Sequence, residues 1–250
     1  MTPHEREQVR THVLAEIADV LRWMHLSIVL LAGRGAWGLP CVPLAWLVAR
    51  MTPVWLGWRS PHFTPDEAQV GLIGLPLVVL GILLGARVIA GEVEQRRIEV
   101  AYSVPRAAAR TCAAKLAGAS VLITGSAVLL GIVTHLWFTP CSVYTIYGAL
   151  QGALFYTMLS MAAAVLLHSE VAGAMVATAM LGLNGLITGF GSAQLRLSPL
   201  WNPTGIEAAQ SDVLAWTIQN RTLVLLVSAT LLWVAFAAAN ERERVLRGVS

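Results

Sequence analysis

Long apolar stretches separated by short polar segments constrain this chain more than any other feature of its sequence. Such stretches begin near Val70, Leu116, Val143, Val171 and Leu223. Each is long enough to cross a hydrocarbon core, which needs roughly 20 apolar residues per helix. Only 12% of the residues are charged, against about 25% in soluble globular proteins. The sequence therefore predicts an all-α integral membrane protein with a single transmembrane domain over residues 1–250.

We predict six transmembrane helices within residues 36–239. Pro40, Pro43 and Arg50 interrupt the first, over residues 36–55, and an arginine in mid-bilayer is costly. The other five spans are predicted at residues 70–90, 116–138, 143–167, 171–190 and 223–239. The stretch 192–220 is too polar to span, and capping-box spacing in it predicts short extracytoplasmic helices. Residues 240–250 form the predicted polar tail.

The charged N-terminal segment, residues 1–34, is predicted to form an amphipathic helix and an elbow at Arg34. Thr2, Pro3 and Glu5 fit a helix N-terminus with a capping box and a proline in the first turn. The residues that form one apolar stripe are Val9, Val13, Ile17, Leu21 and Met24. Such a helix can lie in the membrane interface. An ordinary amphipathic helix packed on a partner explains the same pattern.

The distribution of basic residues predicts the orientation of the chain. With six spans, 13 of the 17 Lys and Arg residues fall on the side that carries both termini and residues 91–106. Arg50, Arg59, Arg196 and Arg221 fall toward the other face. An excess of basic residues marks the cytoplasmic side, so we expect a multi-pass protein of the cell inner membrane with both termini cytoplasmic. This use of basic charge makes nucleic acid an unexpected partner.

Residues 91–106 form an unusually charged connection between the second and third predicted spans. Glu92 and Arg96 have the i,i+4 spacing and order that stabilise an exposed helix. Pro105 disfavours helix in the residue before it and suits the first turn of a new helix. The pattern predicts a short charged helix across the cytoplasmic mouth of two spans, where a partner protein can contact it.

This connection resembles the loop of ABC-2 type transporter permeases, the membrane subunits of a class of ATP-binding cassette exporters. In the family a motif Ala-x-Glu-x-Glu-x-Gly-Thr-x-Glu precedes a Pro, an Arg, and a Lys ten residues after the Pro. Here the sequence reads IAGEVEQRRIE and then PRAAARTCAAK. Arg96 and Arg97 replace the Gly-Thr pair. The residues that match the family pattern are Ala90, Glu92, Glu94, Glu99, Pro105 and Lys115.

The resemblance implies a permease subunit that exports an unidentified substrate by ATP-driven conformational change. It implies two copies of a separate ABC ATPase subunit and a second permease subunit, identical or different, within the lipid bilayer. The residues expected to couple the permease to the ATPase are Glu92, Glu94, Arg96, Arg97, Glu99 and Lys115. For Lys115, anchoring in the lipid headgroups is the alternative role.

ATP hydrolysis is not expected in this chain. Lys115 is its sole lysine, and it does not lie in a G-x-x-x-x-G-K-[ST] phosphate loop. We therefore predict that the chain is not an enzyme and binds no cofactor itself, with ATP and Mg on the partner ATPase. The predicted spans contain no Asp or Glu between their ends, which argues against an intramembrane hydrolase.

A few polar residues within or beside the spans have side chains suited to a substrate path or a metal site. Asn184 and Thr188, one turn apart in the fifth predicted span, are candidates for a substrate path, although such groups often bond neighbouring helices. His135 and Cys141 have donor types that suit copper, but two ligands six residues apart are weak evidence, and no metal site is predicted. The three cysteines are interpreted as free thiols.

A different class of function also fits six spans and a charged loop. A membrane anchor or assembly subunit of a larger complex, without transport activity, has the same sequence features but no ATPase partner. If the chain transports, its apolar spans with few charges favour a lipid-like, amphipathic or peptide-like cargo over a bare ion, whose path needs fixed polar ligands.

Overall fold

The computed structural model describes residues 22, 25–29, 31, 36–58, 63–64, 67–94, 107–190, 196–203, 206 and 209–247. Helices dominate these ranges, which contain no β-strand. A 3-10 helix at Ala36–Cys41 leads into α1, and a π-helix at Ala68–Gly74 leads into α2. The α-helices are α1 (Val42–Trp55), α2 (Leu75–Glu94), α3 (Ala107–Trp137), α4 (Val143–Leu167), α5 (Glu170–Phe190) and α6 (Gln210–Arg247).

Five helices of the described chain are long and apolar enough to cross a membrane. They cover Ala68–Val88, Cys112–Trp137, Val143–Leu167, Glu170–Thr188 and Gln210–Ala239. This confirms an all-α protein with membrane-spanning character. The predicted first span is a 3-10 helix followed by α1, whose 14 residues are fewer than the roughly 20 that a span needs. The count of six spans therefore stays a prediction.

Helices α2 and α4 form the centre of the bundle through small residues. A Cβ atom added to Gly81 would lie 2.6 Å from Thr157 Oγ1, and one added to Gly85 would collide with the Thr157 backbone. The hydroxyl of Ser160 donates a 2.9 Å hydrogen bond to the carbonyl oxygen of Ile82. Small residues let membrane helices approach closely, so α2 and α4 form one tightly packed pair.

Helix α5 packs closely on α4 only near its own start. His168 adopts a left-handed conformation with φ 62° and ends α4, and α5 begins at Glu170. A Cβ atom added to Gly173 would lie 2.6 Å from the Cα atom of Ala164. In the most apolar stretch of each candidate span, 72% of the residues are buried for Ala68–Val88 but only 11% for Glu170–Thr188 in α5. Most of α5 therefore faces away from the rest of the bundle.

The two ends of the bundle are called the Glu170 end and the Trp201 end, after a residue at each. Arg87 Nε lies 3.8 Å from Glu170 Oε2, so α2 ends where α5 begins. At the other end, the rings of Phe63 and Phe138 meet edge to face with centroids 5.2 Å apart. The Trp201 end corresponds to the face predicted to be extracytoplasmic.

Helix α6 differs from the prediction at both of its limits. It has 38 residues, about 57 Å at 1.5 Å per residue, which is nearly twice the hydrocarbon thickness. Residues 210–220, predicted as part of separate short helices, are its first turns, and residues 240–247 of the predicted tail continue it. Thr204 and Glu207, which suggested another short helix, lie outside the described residues.

Aromatic residues of α6 and its neighbours have the spacing expected of two membrane interfaces. On α6, Trp216 and Trp233 are 17 positions apart, or about 26 Å along the helix, and this is close to a hydrocarbon core of about 30 Å. The strongly exposed aromatic residues at the Trp201 end are Trp55, Trp58, Trp137 and Tyr144. Aromatic side chains are enriched at both membrane interfaces.

The N-terminal segment is described only in part. Residues 25–29 are helical, and Ser27, Ile28 and Leu31 are buried. A Cβ atom added to Gly118 of α3 would lie 3.2 Å from Ile28 Cγ1, so this part of the predicted elbow packs inside the bundle. The predicted surface helix before it lies outside the described residues.

Candidate functional site at the Trp201 end

Five polar or amphipathic side chains from three helices and a loop meet at the Trp201 end. We call Gln69, Gln151, Trp201, Asn220 and Arg221 the Trp201 cluster. The Trp201 carbonyl oxygen accepts hydrogen bonds from Gln69 Nε2 at 3.3 Å and Arg221 Nη2 at 3.4 Å. Gln151 Nε2 donates to the Arg221 carbonyl oxygen at 2.9 Å. The cluster thus joins the π-helix, α4 and α6 through the backbone of residues 196–203.

Asn220 holds the segment 196–203 against α6. Its side-chain amide donates to the carbonyl oxygens of Arg196 at 2.6 Å and Ser198 at 2.9 Å. On the other side, Gly152 of α4 makes room for the segment, because a Cβ atom there would lie 2.6 Å from Leu200 Cδ2. The segment is therefore fixed between α4 and α6.

The π-helix at Ala68–Gly74 places Gln69 in the cluster. π-Helical turns are rare and often occur at functional sites. Gln69 and Leu72 are buried, and the Gly71 carbonyl oxygen accepts a 2.8 Å hydrogen bond from Trp46 Nε1 of α1. A Cβ atom added to Gly148 of α4 would lie 2.8 Å from Gln69 Nε2 and 2.6 Å from Arg221 Nη2. This glycine leaves the space in which the amide and the guanidinium meet.

Two cavities flank the half of α5 that lies toward the Trp201 end. The larger, of about 520 Å³, is lined by Val70 and Leu75, by α5, and by residues 198 and 200–202. The smaller, of about 250 Å³, lies between α4, α5 and α6. Asn184 and Ser198 line both cavities. This half of α5 is therefore separated from the core on two of its faces.

Both predicted substrate-path residues line the larger cavity. Asn184 and Thr188 are partly exposed there. The Thr188 hydroxyl donates to the Asn184 carbonyl oxygen at 2.8 Å, so its proton is used within α5, whereas its oxygen can accept from a ligand. The cavity walls are otherwise mainly apolar, with hydroxyl and amide groups at Thr178, Ser198 and Asn202. Such a lining suits an amphipathic molecule.

Polar atoms that are buried without a hydrogen-bond partner concentrate at this end of the described structure. They cost free energy, about 1–3 kcal/mol for each lost bond. Five of the six such atoms in the described residues belong to Arg50 or the cluster, namely Arg50 Nε, Gln151 Oε1, Trp201 Nε1, Asn220 Oδ1 and Arg221 Nη1. The arrangement therefore has unused donors and acceptors beside an apolar cavity.

The predicted coupling residues lie toward the Glu170 end or outside the described ranges. Glu92 and Glu94 fall in the last turn of α2, which continues without a break past the membrane span. The prediction placed them in a separate helix across the membrane surface. In the structure, residues 91–94 instead continue α2. Arg96, Arg97 and Glu99 lie outside the described residues. Their role in coupling stays a prediction.

Lys115 is buried in α3, one residue before the third predicted span. Its side chain is only 5% exposed, and it interacts with another residue. Its alternative role, anchoring in the lipid headgroups, stays a prediction. Its predicted coupling role is not tested by this position.

His135 in the last turn of α3 lies beside Cys141 in the turn between α3 and α4. The Cys141 N–H donates a 3.1 Å hydrogen bond to His135 Nδ1, which occupies one of the two possible metal-binding nitrogens. Burial raises the pKa of the Cys141 thiol above its ordinary value, which disfavours the thiolate that binds soft metals. Within the described ranges, no group of three or more His, Cys, Asp or Glu residues could hold a metal ion.

Sequence reasoning did not identify the Trp201 cluster. Gln151 lies within the fourth predicted span, where its amide was a usable signal, since polar residues in spans need partners. Gln69 directly precedes the second predicted span and gave no such signal. Arg221 was counted only as a residue on the outer face. The sequence around Trp201 gave no signal, because the atom that joins the cluster is a backbone carbonyl oxygen, which every residue has.

Comparisons with known proteins give no relative for this chain. No protein-family model, no curated protein and no solved structure matches it.

Proposed function

We propose that this protein is the permease subunit of an ABC exporter, driven by a separate ATPase subunit. The observation that carries the proposal is the continuity of α2. At one end, this helix carries Glu92 and Glu94 of the charged connection. At the other end, Leu75 lines the larger cavity. A helix of 20 residues is about 30 Å long, so α2 links a cytosolic contact to a cavity across the membrane.

The packing around α2 supports this role. Its close contact with α4 at Gly81 and Gly85 makes the two helices a stiff pair. Helix α5 contacts α4 closely near Gly173 but borders cavities at the other end. A displacement applied at Glu92 and Glu94 would therefore move the α2–α4 pair against α5. Small sliding movements of packed helices are a common form of conformational change.

The cavity lining supports an amphipathic, lipid-like or peptide-like substrate. Leu75, Leu181 and Leu200 provide apolar walls, and Asn184 with Thr188 provides hydrogen-bonding groups. A bare ion needs a ring of fixed polar ligands, which the described lining does not supply. ATP-driven closure of the ATPase dimer would change access to this cavity.

The finer topology also belongs to the proposal. Six spans, with Ala36–Trp55 as the first, place both termini in the cytoplasm, and the chain lies in the cell inner membrane. The basic residues on the side of the charged connection support this orientation. The resemblance of residues 89–115 to the permease loop supports two ATPase copies and a second permease as partners.

Co-purification with and without charge reversal tests the proposal. The full-length tagged chain, isolated from its native membrane, should bring down a protein that binds and hydrolyses ATP. Glu92→Lys with Glu94→Lys should remove this protein, because the charges that it contacts are reversed. Asp212→Lys is the matched control, since Asp212 is exposed in the first turn of α6 at the opposite end of the bundle.

The same experiment separates transport from an anchoring role. A membrane anchor without transport activity would co-purify with its complex but with no ATPase, and the double reversal would have no effect on ATP hydrolysis. Either result would count against the permease assignment.

A further inference from the structure

Arginine side chains at the Trp201 end share an arrangement that the proposed transport function does not require. Each guanidinium lies over an aromatic ring, and that of Arg196 is close enough to stack. Arg196 Cζ lies 3.5 Å from the ring centroid of Trp216, Arg221 Cζ lies 5.8 Å from that of Tyr147, and Arg50 Cζ lies 6.0 Å from that of Trp46. Among the described residues, none of the three arginines has a carboxylate within salt-bridge distance.

Stacking leaves the hydrogen-bonding edge of a guanidinium free. The cation–π contact uses the flat face of the group, whereas its five N–H donors point outward in the plane. Arg221 uses Nη2 for the Trp201 carbonyl oxygen, and its Nη1 is buried without a partner. Arg50 Nε is likewise buried without a partner. These donors match the oxygens of a phosphate, which guanidinium binds in a bidentate manner.

The charge balance of the site favours an anionic ligand. A buried cation needs a counter-charge or hydrogen bonds to offset its desolvation. The described partners of the Arg221 side chain are a carbonyl oxygen and an aromatic ring. Neither carries a negative charge, so neither neutralises the guanidinium. An anion beside it would supply the missing compensation.

The larger cavity is connected to Arg221 through Trp201. Trp201, whose carbonyl oxygen accepts a hydrogen bond from Arg221, also lines the cavity of about 520 Å³. Helix α5 forms another wall, and most of its side chains face outward. An apolar chain can therefore enter the cavity from the membrane while its polar head stays near Arg221 and Arg196.

We infer that the Trp201 end binds an anionic phospholipid. Its phosphate is held by Arg196 and Arg221, and one acyl chain occupies the cavity beside α5. Binding of this lipid does not depend on transport or on an ATPase partner.

Native mass spectrometry of the detergent-solubilised full chain measures this binding. Phosphatidylglycerol is titrated against the protein, with phosphatidylcholine as the zwitterionic comparison. Arg221→Gln should weaken phosphatidylglycerol binding about tenfold or more, because it removes charge-assisted hydrogen bonds. Arg196→Gln should also weaken binding, and its exposed side chain makes that variant suitable if Arg221→Gln does not fold.

A substitution in the cavity tests the position of the acyl chain. Gly185 lines the larger cavity, and a Cβ atom there meets no atom within 4 Å. Gly185→Phe should fill the space and weaken phosphatidylglycerol binding while leaving the arginines in place. Gly125→Phe is the matched control, since a Cβ atom at this α3 glycine also meets open space and Gly125 does not line the larger cavity.

Several outcomes would overturn the site. Arg87→Gln removes a charge at the Glu170 end, and a loss of binding equal to that of Arg221→Gln would mean a general charge effect. Unchanged binding in Gly185→Phe would remove the acyl chain from the cavity. Displacement of phosphatidylglycerol by equimolar glycerol phosphate would show that the head alone binds. Equal affinity for phosphatidylcholine would show that net charge is not recognised.

Discussion

The hydroxyl of Ser160 donates a 2.9 Å hydrogen bond to the carbonyl oxygen of Ile82, across the contact between α4 and α2. Ser160 is fully buried. Replacing it with Ala should lower the free energy of unfolding by about 0.6–1 kcal/mol, the usual size of a hydrogen bond between membrane helices. Reversible unfolding in mixed micelles measures the change. Ser126→Ala is the control, because Ser126 is equally buried but donates to Leu122 of its own helix. An equal loss in both variants would mean that the bond between helices adds nothing.

Gly85 allows α2 to approach α4, and this contact predicts a larger effect. A Cβ atom at Gly85 collides with the Thr157 backbone, which cannot move aside as a flexible side chain can. Gly85→Ala should therefore lower the free energy of unfolding by about 1–3 kcal/mol, the usual cost of overpacking. Gly125→Ala should not destabilise, since its Cβ atom meets open space and Ala is the better helix former. Equal stability of both variants would contradict the close packing of α2 on α4.

Asn220 fixes residues 196–203 by two hydrogen bonds to backbone carbonyl oxygens. Asn220→Ala should release this segment, so that its backbone amides exchange with deuterium at least about tenfold faster, which corresponds to about 1.4 kcal/mol of local stability. Hydrogen exchange with mass spectrometry gives the rates. Thr217→Ala serves as the control, because the Thr217 hydroxyl bonds only to Val213 one turn earlier in α6. Unchanged exchange in Asn220→Ala would show that packing alone holds the segment.

Burial raises the pKa of the Cys141 thiol, and this shift predicts a pH dependence. Maleimide reacts with the thiolate, and a raised pKa leaves less thiolate at pH 7–8. Labelling of Cys141 should therefore be slower than that of a cysteine peptide at pH 8, and it should keep increasing above pH 9. A Cys41→Ser, Cys112→Ser variant isolates this residue. A rate equal to that of the peptide would contradict the effect of burial.

The same reagent reports orientation when it cannot cross the membrane. If the Trp201 end is extracytoplasmic, intact cells should label Cys141 in the turn between α3 and α4. Labelling only after the cells are opened would reverse the proposed orientation, and the ATPase contact at Glu92 and Glu94 would then be impossible.

The limits of α4 and α5 followed from local sequence. The start of α4 at Val143 agrees with the prediction, because Ser142 caps it with a 3.2 Å hydrogen bond from the Thr145 N–H. The long apolar parts of α2, α3, α5 and α6 were also predicted, since the length of an apolar run is a property of neighbouring residues. Tertiary partners decided where α6 begins. The polar residues Asn220 and Arg221 suggested that the helix starts after them, but Asn220 Nδ2 and Arg221 Nη2 donate to carbonyl oxygens of residues 196–203 from within it.

The candidate site depended even more on tertiary structure. Gln69 and Trp201 are 132 positions apart, and no local pattern indicates that an amide and a carbonyl oxygen at this separation will meet. By itself, the sequence determined that the chain forms long apolar helices and carries a charged connection between two of them. Only tertiary structure decided which polar groups are buried together and where α5 leaves a cavity, because both depend on how distant helices pack.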